Sequence, residues 1–361
     1  MSEALYAPAL GYYAAGNIKL PGSNVAHHVQ PSGWTPPPDG SPLGDFVTAP
    51  ELSPIFARTL AGQVASVLSD CASFNVLEFG AGTGVLAADL IDALDALGVK
   101  VNYAIIEISD DLRGVQQRRL ARFGARVTWP QALPETFSGC VLANELLDAM
   151  PVTVFAFDGD ARLMECGVSV GAQGQFVWSE RPASDELRAQ LEGRVAPMPG
   201  YRSEINLQAE AWMRSLSNWL TCGAALLIDY GFPQSEYYHP QRAEGTLMAH
   251  IRHHAHSDVL VAPGIQDITA HVDFTAMAQA AIDGGLDLLG YTAQGRFLMN
   301  AGLVDHIGAS TDPRQQANAL GAISKLTSEA EMGELFKVLA VGRGIDTPLT
   351  GFKSRDRRHL L

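Results

Sequence analysis

Three glycines, Gly80, Gly82 and Gly84, follow an apolar run that ends in Glu78 and Phe79, and a helical pattern begins directly after them. Glycine lets the backbone turn sharply and lets a ligand come close, because no Cβ stands in the way. The first turn of the following helix presents free N–H groups to the same ligand. This strand–turn–helix pattern is typical of a nucleoside-binding site.

The spacing of the glycines indicates which nucleoside is bound. A dinucleotide fingerprint would need a further glycine at Val85, where the branched side chain would crowd the contact between helix and strand. Glu78 has a carboxylate suited to a cationic ligand, and S-adenosyl-L-methionine carries an ammonium and a sulfonium group. A second predicted strand ends in Glu107, where an acid can accept hydrogen bonds from a ribose diol. We therefore expect S-adenosyl-L-methionine at Glu78, the glycine turn and Glu107, with a plain glycine-rich connection as the alternative.

Polar side chains also follow two later predicted strands. Asn144, Glu145 and Asp148 come after the fourth strand, and Asp229 and Tyr230 end the fifth. Ligands of open α/β sheets bind beyond the carboxyl ends of the strands, so these groups are candidates for chemistry. If the segment is helical, Glu145 and Asp148 lie one turn apart and could hold a guanidinium together, with one nitrogen facing the methyl sulfonium. The alternative is a turn residue at 148 beside a solvated carboxylate at 145.

A cluster of histidines lies further downstream and suggests a metal site at first sight. His250 and His254 are four residues apart, but Arg252 between them is unfavourable beside a cation, and no H-x-x-x-H pair with a general-base glutamate occurs. We expect no metal and interpret the histidines as part of a loop over the active site. The members of this cluster are His250, His253, His254 and His256, with His271 beyond.

Composition narrows the class of protein. The chain has 361 residues, 47% of them apolar, which is enough for a sizeable core. A net charge of −14 argues against a nucleic-acid backbone as the main ligand and is compatible with basic proteins or peptides as partners. The four cysteines lack C-x-x-C spacing and are interpreted as reduced thiols. Without a targeting pattern or a membrane-spanning apolar run, we expect a cytoplasmic protein that does not insert into membranes.

Alternating strands and helices predict a parallel sheet with right-handed crossovers. We assign residues 1–50 to an N-terminal lid with a Pro/Gly-rich loop and residues 51–361 to the main domain. Turn signals between apolar runs predict a β-hairpin cap inserted at about 152–200, and the polar stretch at about 232–272 predicts an active-site loop. Helices are expected at 52–68, from the glycine turn to 97, and at about 110–122, 204–220 and 274–283. Strands are expected to end near residues 79, 107, 129, 144, 231, 291 and 341.

Three runs of residues, 44–54, 144–152 and 267–274, carry a family resemblance that covers nearly the whole chain. Together with the turn at 78–84 they resemble the MidA-like proteins, a family that includes the mitochondrial arginine methyltransferase needed for respiratory complex I assembly. The glycine turn is shared by many methyltransferases, whereas the three runs are specific.

The resemblance implies a class I methyltransferase fold, which is a Rossmann-like α/β fold with a seven-stranded, mostly parallel sheet and an antiparallel last strand. It also implies bound S-adenosyl-L-methionine, with the glycines at its methionine part and Glu107 at its ribose. The resemblance further implies that Asn144, Glu145 and Asp148 surround the methyl acceptor, and that Asn144 also touches the cofactor. Weaker candidates for the acceptor site are Asp45, Asp229 and His271.

The resemblance implies a protein arginine methyltransferase that acts on a respiratory complex I-type subunit. Because the sulfonium already activates the methyl group, such an enzyme mainly positions the reactants and excludes water. We expect Glu145 to bind the guanidinium and leave the attacking nitrogen more nucleophilic, with Asp148 assisting. The alternatives are a small-molecule methyltransferase and an assembly factor that binds S-adenosyl-L-methionine without catalysis.

Overall fold

The computed structural model describes residues 1–8, 10–14, 48–251, 254–306 and 313–361. Its strands are β1 (Asn75–Phe79), β2 (Asn102–Ile106), β3 (Val127–Thr128), β4 (Phe137–Asn144), β5 (Thr153–Phe157), β6 (Leu163–Val170), β7 (Phe176–Pro182), β8 (Arg202–Ile205), β9 (Leu220–Phe232), β10 (Met248–Ile251), β11 (His254–His256), β12 (Asp267–Thr269), β13 (Val272–Asp273), β14 (Asp287–Ala293) and β15 (Phe336–Arg343). Its α-helices are α1 (Ser2–Tyr6), α2 (Ala49–Leu52), α3 (Ile55–Asp70), α4 (Val85–Ala96), α5 (Asp110–Leu120), α6 (Asp185–Leu191), α7 (Leu207–Trp219), α8 (Gln234–Tyr237), α9 (Phe274–Asp283), α10 (Gln294–Asn300), α11 (Pro313–Thr327) and α12 (Met332–Leu335).

The central sheet has the strand order β3-β2-β1-β4-β9-β15-β14, and β13 adds a short parallel pair at the end of β9. The strands from β3 to β9 run parallel, whereas β15 is antiparallel to both of its neighbours. The predicted class I methyltransferase sheet, with an antiparallel last strand, is confirmed. The carboxyl ends of β1, β2 and β4 therefore lie side by side at one edge.

Helices cover both faces of this sheet, which is why its parallel strands are continuous apolar runs rather than alternating ones. In β9, Leu226 and Ile228 pack with α3 and α4, while Ala225 and Leu227 pack with α7 and α9 on the other face. All four side chains are buried, and burying a side chain of leucine or isoleucine size stabilises the fold by about 1.5–3 kcal/mol. The strand ends are thus held on a rigid layer.

The segment where the inserted cap was predicted contains an antiparallel sheet in the order β7-β6-β5-β8. Helix α6 packs on it, and Phe155, Leu187 and Tyr201 contribute to a separate apolar core. The sheet extends to Ile205, so the helix expected from about 204 to 220 is present but starts three residues later. Helix α7 begins at residue 207 because the Asn206 side chain accepts a hydrogen bond from the Ala209 N–H and caps it.

The stretch 232–272, which we expected to be a loop, contains helix α8 and a small sheet in the order β11-β10-β12. The N-terminal segment packs against this sheet, where Leu5 and Tyr12 share an apolar cluster with Ala249 and Ile268. The expectation of a loop was wrong because strands of only three or four residues are too short to leave a clear alternation in the sequence.

Candidate active site

The turn after β1 has the conformation that its glycines predicted. Gly80, Gly82 and Gly84 have φ values of 63°, 52° and 78°, the left-handed region that only glycine adopts without strain. A Cβ added at Gly82 would meet no protein atom within 4 Å, so the space beside it is open to a ligand. Gly84 has a structural role, because it caps the start of α4 and packs against Gln116.

This turn borders a cavity of about 710 Å³, within the range of small-molecule sites. The lining comes from the ends of β1, β2 and β4, from the first turn of α4, from α2 and α7, and from the N-terminal segment. The predicted site residues that line it are Glu78, Gly80, Gly82, Glu107, Asn144 and Glu145.

Glu78, at the end of β1, is buried against the cavity. Its Oε2 accepts a hydrogen bond of 2.8 Å from the Tyr103 hydroxyl. Burial raises the pKa of Glu78 to about 7, and the hydrogen bond from Tyr103 opposes part of that rise. A cation bound in the cavity would favour the ionised form, which suits a ligand with an ammonium group.

Glu107 is held rigidly just beyond the end of β2. Its Oε1 accepts from the Ser109 N–H and its Oε2 from the Gln116 Nε2, both at 2.9 Å. Gln116 Nε2 also donates to the Gly82 carbonyl at 2.9 Å. Gln116 therefore ties Glu107, the acid expected at the ribose, to the glycine turn. Sequence reasoning missed this residue, because one glutamine within a polar helix carries no signal.

Apolar side chains line the cavity next to Glu107. Ile108 is 71% exposed and Leu133 is 43% exposed, and both line the cavity together with Leu112. A flat base lying on them would cover this apolar surface and gain free energy by its burial. The arrangement fits the predicted cofactor, with its base here, its ribose at Glu107 and its methionine part at the glycine turn.

Asn144 and Glu145 lie where β4 ends, on the other side of the glycine turn. Asn144 Nδ2 donates to Glu145 Oε1 at 3.1 Å and so orients the carboxylate. Burial, with a further contribution from the negative charge of Asp148, raises the pKa of Glu145 to about 8. Asn144 Oδ1 is buried and has no hydrogen-bond partner in the part of the chain that the structure describes.

The expected helical pairing of Glu145 with Asp148 was wrong. Residues 145–150 form a turn, in which Glu145 has a φ of 52°. Asp148 does not line the cavity, and its Oδ2 accepts a 2.6 Å hydrogen bond from the Tyr230 hydroxyl. Burial raises the pKa of Asp148 to about 6. The two carboxylates therefore do not face one pocket as a pair, and Asp148 influences the site through its charge.

Two other predicted residues, Asp229 and His271, also lie outside the cavity lining. Asp229 accepts from the backbone N–H groups of Leu147, Asp148 and Tyr230 at 2.9, 3.3 and 2.9 Å, so it holds the turn that carries Glu145. His271 packs between two aromatic rings, and burial lowers its pKa to about 4. Asp45 lies outside the described residues.

The histidine cluster does not form a metal site among the described residues, where no group of three or more His, Cys, Asp or Glu side chains could hold an ion. His254 and His256 lie on β11, at the edge of the small sheet, and His250 lies on β10. His253 and Arg252 lie outside the described residues.

The N-terminal part of the chain contributes lining that sequence reasoning did not assign. Glu51 on α2 accepts a hydrogen bond from the Thr83 hydroxyl and so fixes α2 against the glycine turn. Ser2, Tyr6 and Tyr13 line the cavity from the N-terminal segment. The available signal was the run at 44–54, which carried the resemblance but suggested no chemistry.

The sheet order, the glycine turn and the acid after β2 define a class I methyltransferase that uses S-adenosyl-L-methionine. The chain belongs to the family described as "Putative S-adenosyl-L-methionine-dependent methyltransferase", whose sequence model matches residues 59–292. In the described part of the chain, none of the helices is both long enough and apolar enough to span a membrane.

Named relatives and a solved structure agree with this family. The chain is 28% identical over 389 residues to "Protein arginine methyltransferase NDUFAF7, mitochondrial" of Mus musculus, covering 94% of this chain and 79% of the relative. It is 29% identical to the Drosophila melanogaster homologue, covering 84% and 76%. A crystal structure of a Burkholderia thailandensis protein bound to S-adenosyl-homocysteine is 48% identical with a TM-score of 0.88, covering 100% of this chain and 90% of that one.

Proposed function

We propose that this methyltransferase transfers the methyl group to an arginine side chain of a protein. The observation that carries the proposal is Glu145, a half-buried carboxylate on the cavity wall that takes part in none of the ion pairs found among the described residues. Burying an unpaired charge is costly, so a cation in the cavity would compensate it.

The site chemistry follows from how the residues hold a guanidinium. When bound, S-adenosyl-L-methionine supplies a methyl group that leaves its sulfonium with the C–S bond electrons remaining on sulfur. Glu145 would accept N–H bonds from the guanidinium and localise its positive charge away from the attacking nitrogen. That nitrogen forms the new N–C bond and then loses a proton. Asn144 keeps Glu145 in place through their 3.1 Å hydrogen bond.

The names of the relatives support an arginine acceptor, because the mouse and fly proteins are called protein arginine methyltransferases. A net charge of −14 favours a basic partner that presents the arginine. The resemblance to the mitochondrial complex I assembly enzyme extends the proposal to a subunit of a complex I-type assembly as the acceptor.

Methyl labelling tests the proposal. The purified protein would be incubated with S-adenosyl-L-methionine carrying a labelled methyl group and an extract from cells that lack its gene. We expect a labelled protein whose hydrolysate contains methylated arginine. Label found only in small molecules, or on another residue type, would contradict the arginine proposal. A Gln variant of Glu145 serves as the control for labelling by contaminating enzymes.

A further inference from the structure

A pair of tyrosines from the N-terminal segment forms one wall of the cavity. The rings of Tyr6 and Tyr13 are stacked, with centroids 5.7 Å apart and planes at 21°, and both side chains line the cavity, as Glu145 does. No step of cofactor binding described above uses these rings. The two rings are therefore available to another ligand of the cavity.

The tyrosine wall lies next to the turn that carries Glu145. The Tyr6 hydroxyl donates to the Ala149 carbonyl at 2.9 Å, and Ala149 belongs to that turn. The Tyr13 hydroxyl donates to Asp267 Oδ1 at 3.0 Å on β12. The acid at Glu107, in contrast, follows β2, on the other side of β1 in the sheet. The wall thus borders the end of the cavity where the acceptor would lie.

Carboxylates lie close to both tyrosines of this wall. Burial raises the pKa values of Tyr6 and Tyr13, and the charges of Asp148 and Asp267, which are themselves buried, raise them further. Asp148 is only 5% exposed, and its Oδ1 has no hydrogen-bond partner within the described ranges. A hydroxyl that donates to a carboxylate or a carbonyl also makes its ring more electron-rich. Both effects favour a positive group against the ring faces.

We propose that Tyr6 and Tyr13 bind the acceptor, holding a flat cation of the guanidinium class against their rings while Glu145 takes its N–H groups. This inference rests on the proposed function and names the residues that select its acceptor. Guanidinium combines planarity with charge, so it can stack on an aromatic ring and hydrogen-bond at its edge at the same time. The uncharged, nearly isosteric urea group of citrulline lacks the charge and should bind poorly.

A binding measurement with small probes tests the wall without knowledge of the natural acceptor. Nα-acetyl-L-arginine methylamide and its citrulline counterpart would be titrated into the protein loaded with S-adenosyl-homocysteine, and binding followed by ligand-observed NMR. We expect the arginine probe to bind and the citrulline probe to bind at least about fivefold more weakly, because it lacks the charge that the rings and Glu145 would both recognise. Equal binding of both probes would overturn the proposal.

Variants locate the effect on the two rings. Tyr6→Leu and Tyr13→Leu should each weaken the arginine probe by about fivefold, whereas Tyr13→Phe keeps the ring and should lose less. Phe176→Leu, which changes an exposed ring on the cap, is the matched control and should change nothing. Each variant must still bind S-adenosyl-homocysteine, which shows that it is folded. Unchanged probe binding in both folded leucine variants would contradict the proposal.

Failure of this inference can be told apart from failure of the proposed function. If labelling yields methylated arginine but the leucine variants bind the probe normally, the wall is refuted and the proposed function stands. If the label appears on another residue type while the probe still depends on the rings, the arginine function fails and the cation-binding wall stands.

Discussion

At the scale of single residues, Glu145 combines partial burial with backbone strain. Its φ of 52° lies in the left-handed region, which costs a residue other than glycine about 1–3 kcal/mol unless its surroundings enforce it. Its N–H donates to the Ile228 carbonyl at 2.8 Å, which helps to enforce it. Such costs are typical of functional positions. Here they place a carboxylate in a cavity where it has no cationic partner among the described residues.

Burial of Glu145 predicts a pH-dependent loss of stability. Its pKa rises from 4.5 to about 8 on folding, so between these pH values the folded chain retains a proton that the unfolded chain has lost. The contribution of Glu145 to the free energy of unfolding therefore falls as the pH rises from about 4.5 to about 8. Below about pH 4.5 this contribution does not change with pH. Glu145→Gln removes the effect.

We predict that Glu145→Gln is more stable than the wild type by a margin that is larger at about pH 8 than at about pH 5. Urea unfolding at the two pH values measures this margin. Glu180→Gln, on the exposed part of the cap, is the control and should show similar margins at both. A margin for Glu145→Gln that shrinks towards pH 8 would show that the carboxylate is not buried as described.

Gly82 tests the cofactor site at the same scale. Gly82→Val places a branched side chain into open cavity space and should abolish the rise in Tm that S-adenosyl-homocysteine causes, because the ligand would clash with it. Gly98→Val is the matched control, since Gly98 also has a positive φ and open space around it but lies beyond the far end of α4.

Both valine variants should lose about 1–3 kcal/mol of stability through backbone strain, while only Gly98→Val should keep the ligand-induced rise in Tm. A normal rise in Gly82→Val would place the cofactor elsewhere.

At the scale of elements, the site depends on how the ends of β4 and β9 are joined. The Asp229 carboxylate at the end of β9 receives three backbone N–H groups, two of them from the turn after β4. It is fully buried, and burial raises its pKa well above the ordinary value. A hydrogen-bond acceptor at this point therefore determines the path of the turn that presents Glu145.

Asp229→Ala should leave these N–H groups buried without an acceptor. We predict a loss of about 1–3 kcal/mol in the free energy of unfolding, together with slower methyl transfer and nearly unchanged cofactor affinity. Urea unfolding, single-turnover methyl transfer and cofactor titration measure the three effects. Asp283→Ala, at the exposed end of α9, is the control and should be close to wild type in all three. Transfer at the wild-type rate in Asp229→Ala would show that the turn needs no such support.

Elements with strong local signals could be predicted from the sequence. The apolar runs of β1 and β9 indicate buried parallel strands, and the glycines after β1 indicate the turn. The structure differs from the prediction where the local conformation depends on contacts between residues far apart in the sequence. The turn at 145–150 is held by Asp229, some 80 residues away, so a helical reading of its spacing failed. The tyrosine wall depends on a hydrogen bond between Tyr13 and Asp267, which are 254 residues apart in the sequence. No local sequence pattern could have indicated this contact.

At the scale of the whole molecule, three parts of the chain converge on one cavity. The central sheet brings the glycine turn, Glu107 and Glu145 to one edge, α7 contributes Trp212, and the N-terminal segment closes a wall. The small sheet of β10, β11 and β12 supports that segment through Leu5 and a shared apolar cluster. The stretch that looked like a loop in the sequence thus supports one wall of the cavity.

The measurement that tests the central claim most directly is single-turnover methyl transfer by Glu145→Gln, with the acceptor identified by labelling. We predict cofactor affinity within about twofold of wild type and transfer at least about 100-fold slower, since the carboxylate acts on the acceptor rather than on the cofactor. Transfer at the wild-type rate, with the cofactor bound normally, would contradict the claim that Glu145 holds and activates the guanidinium.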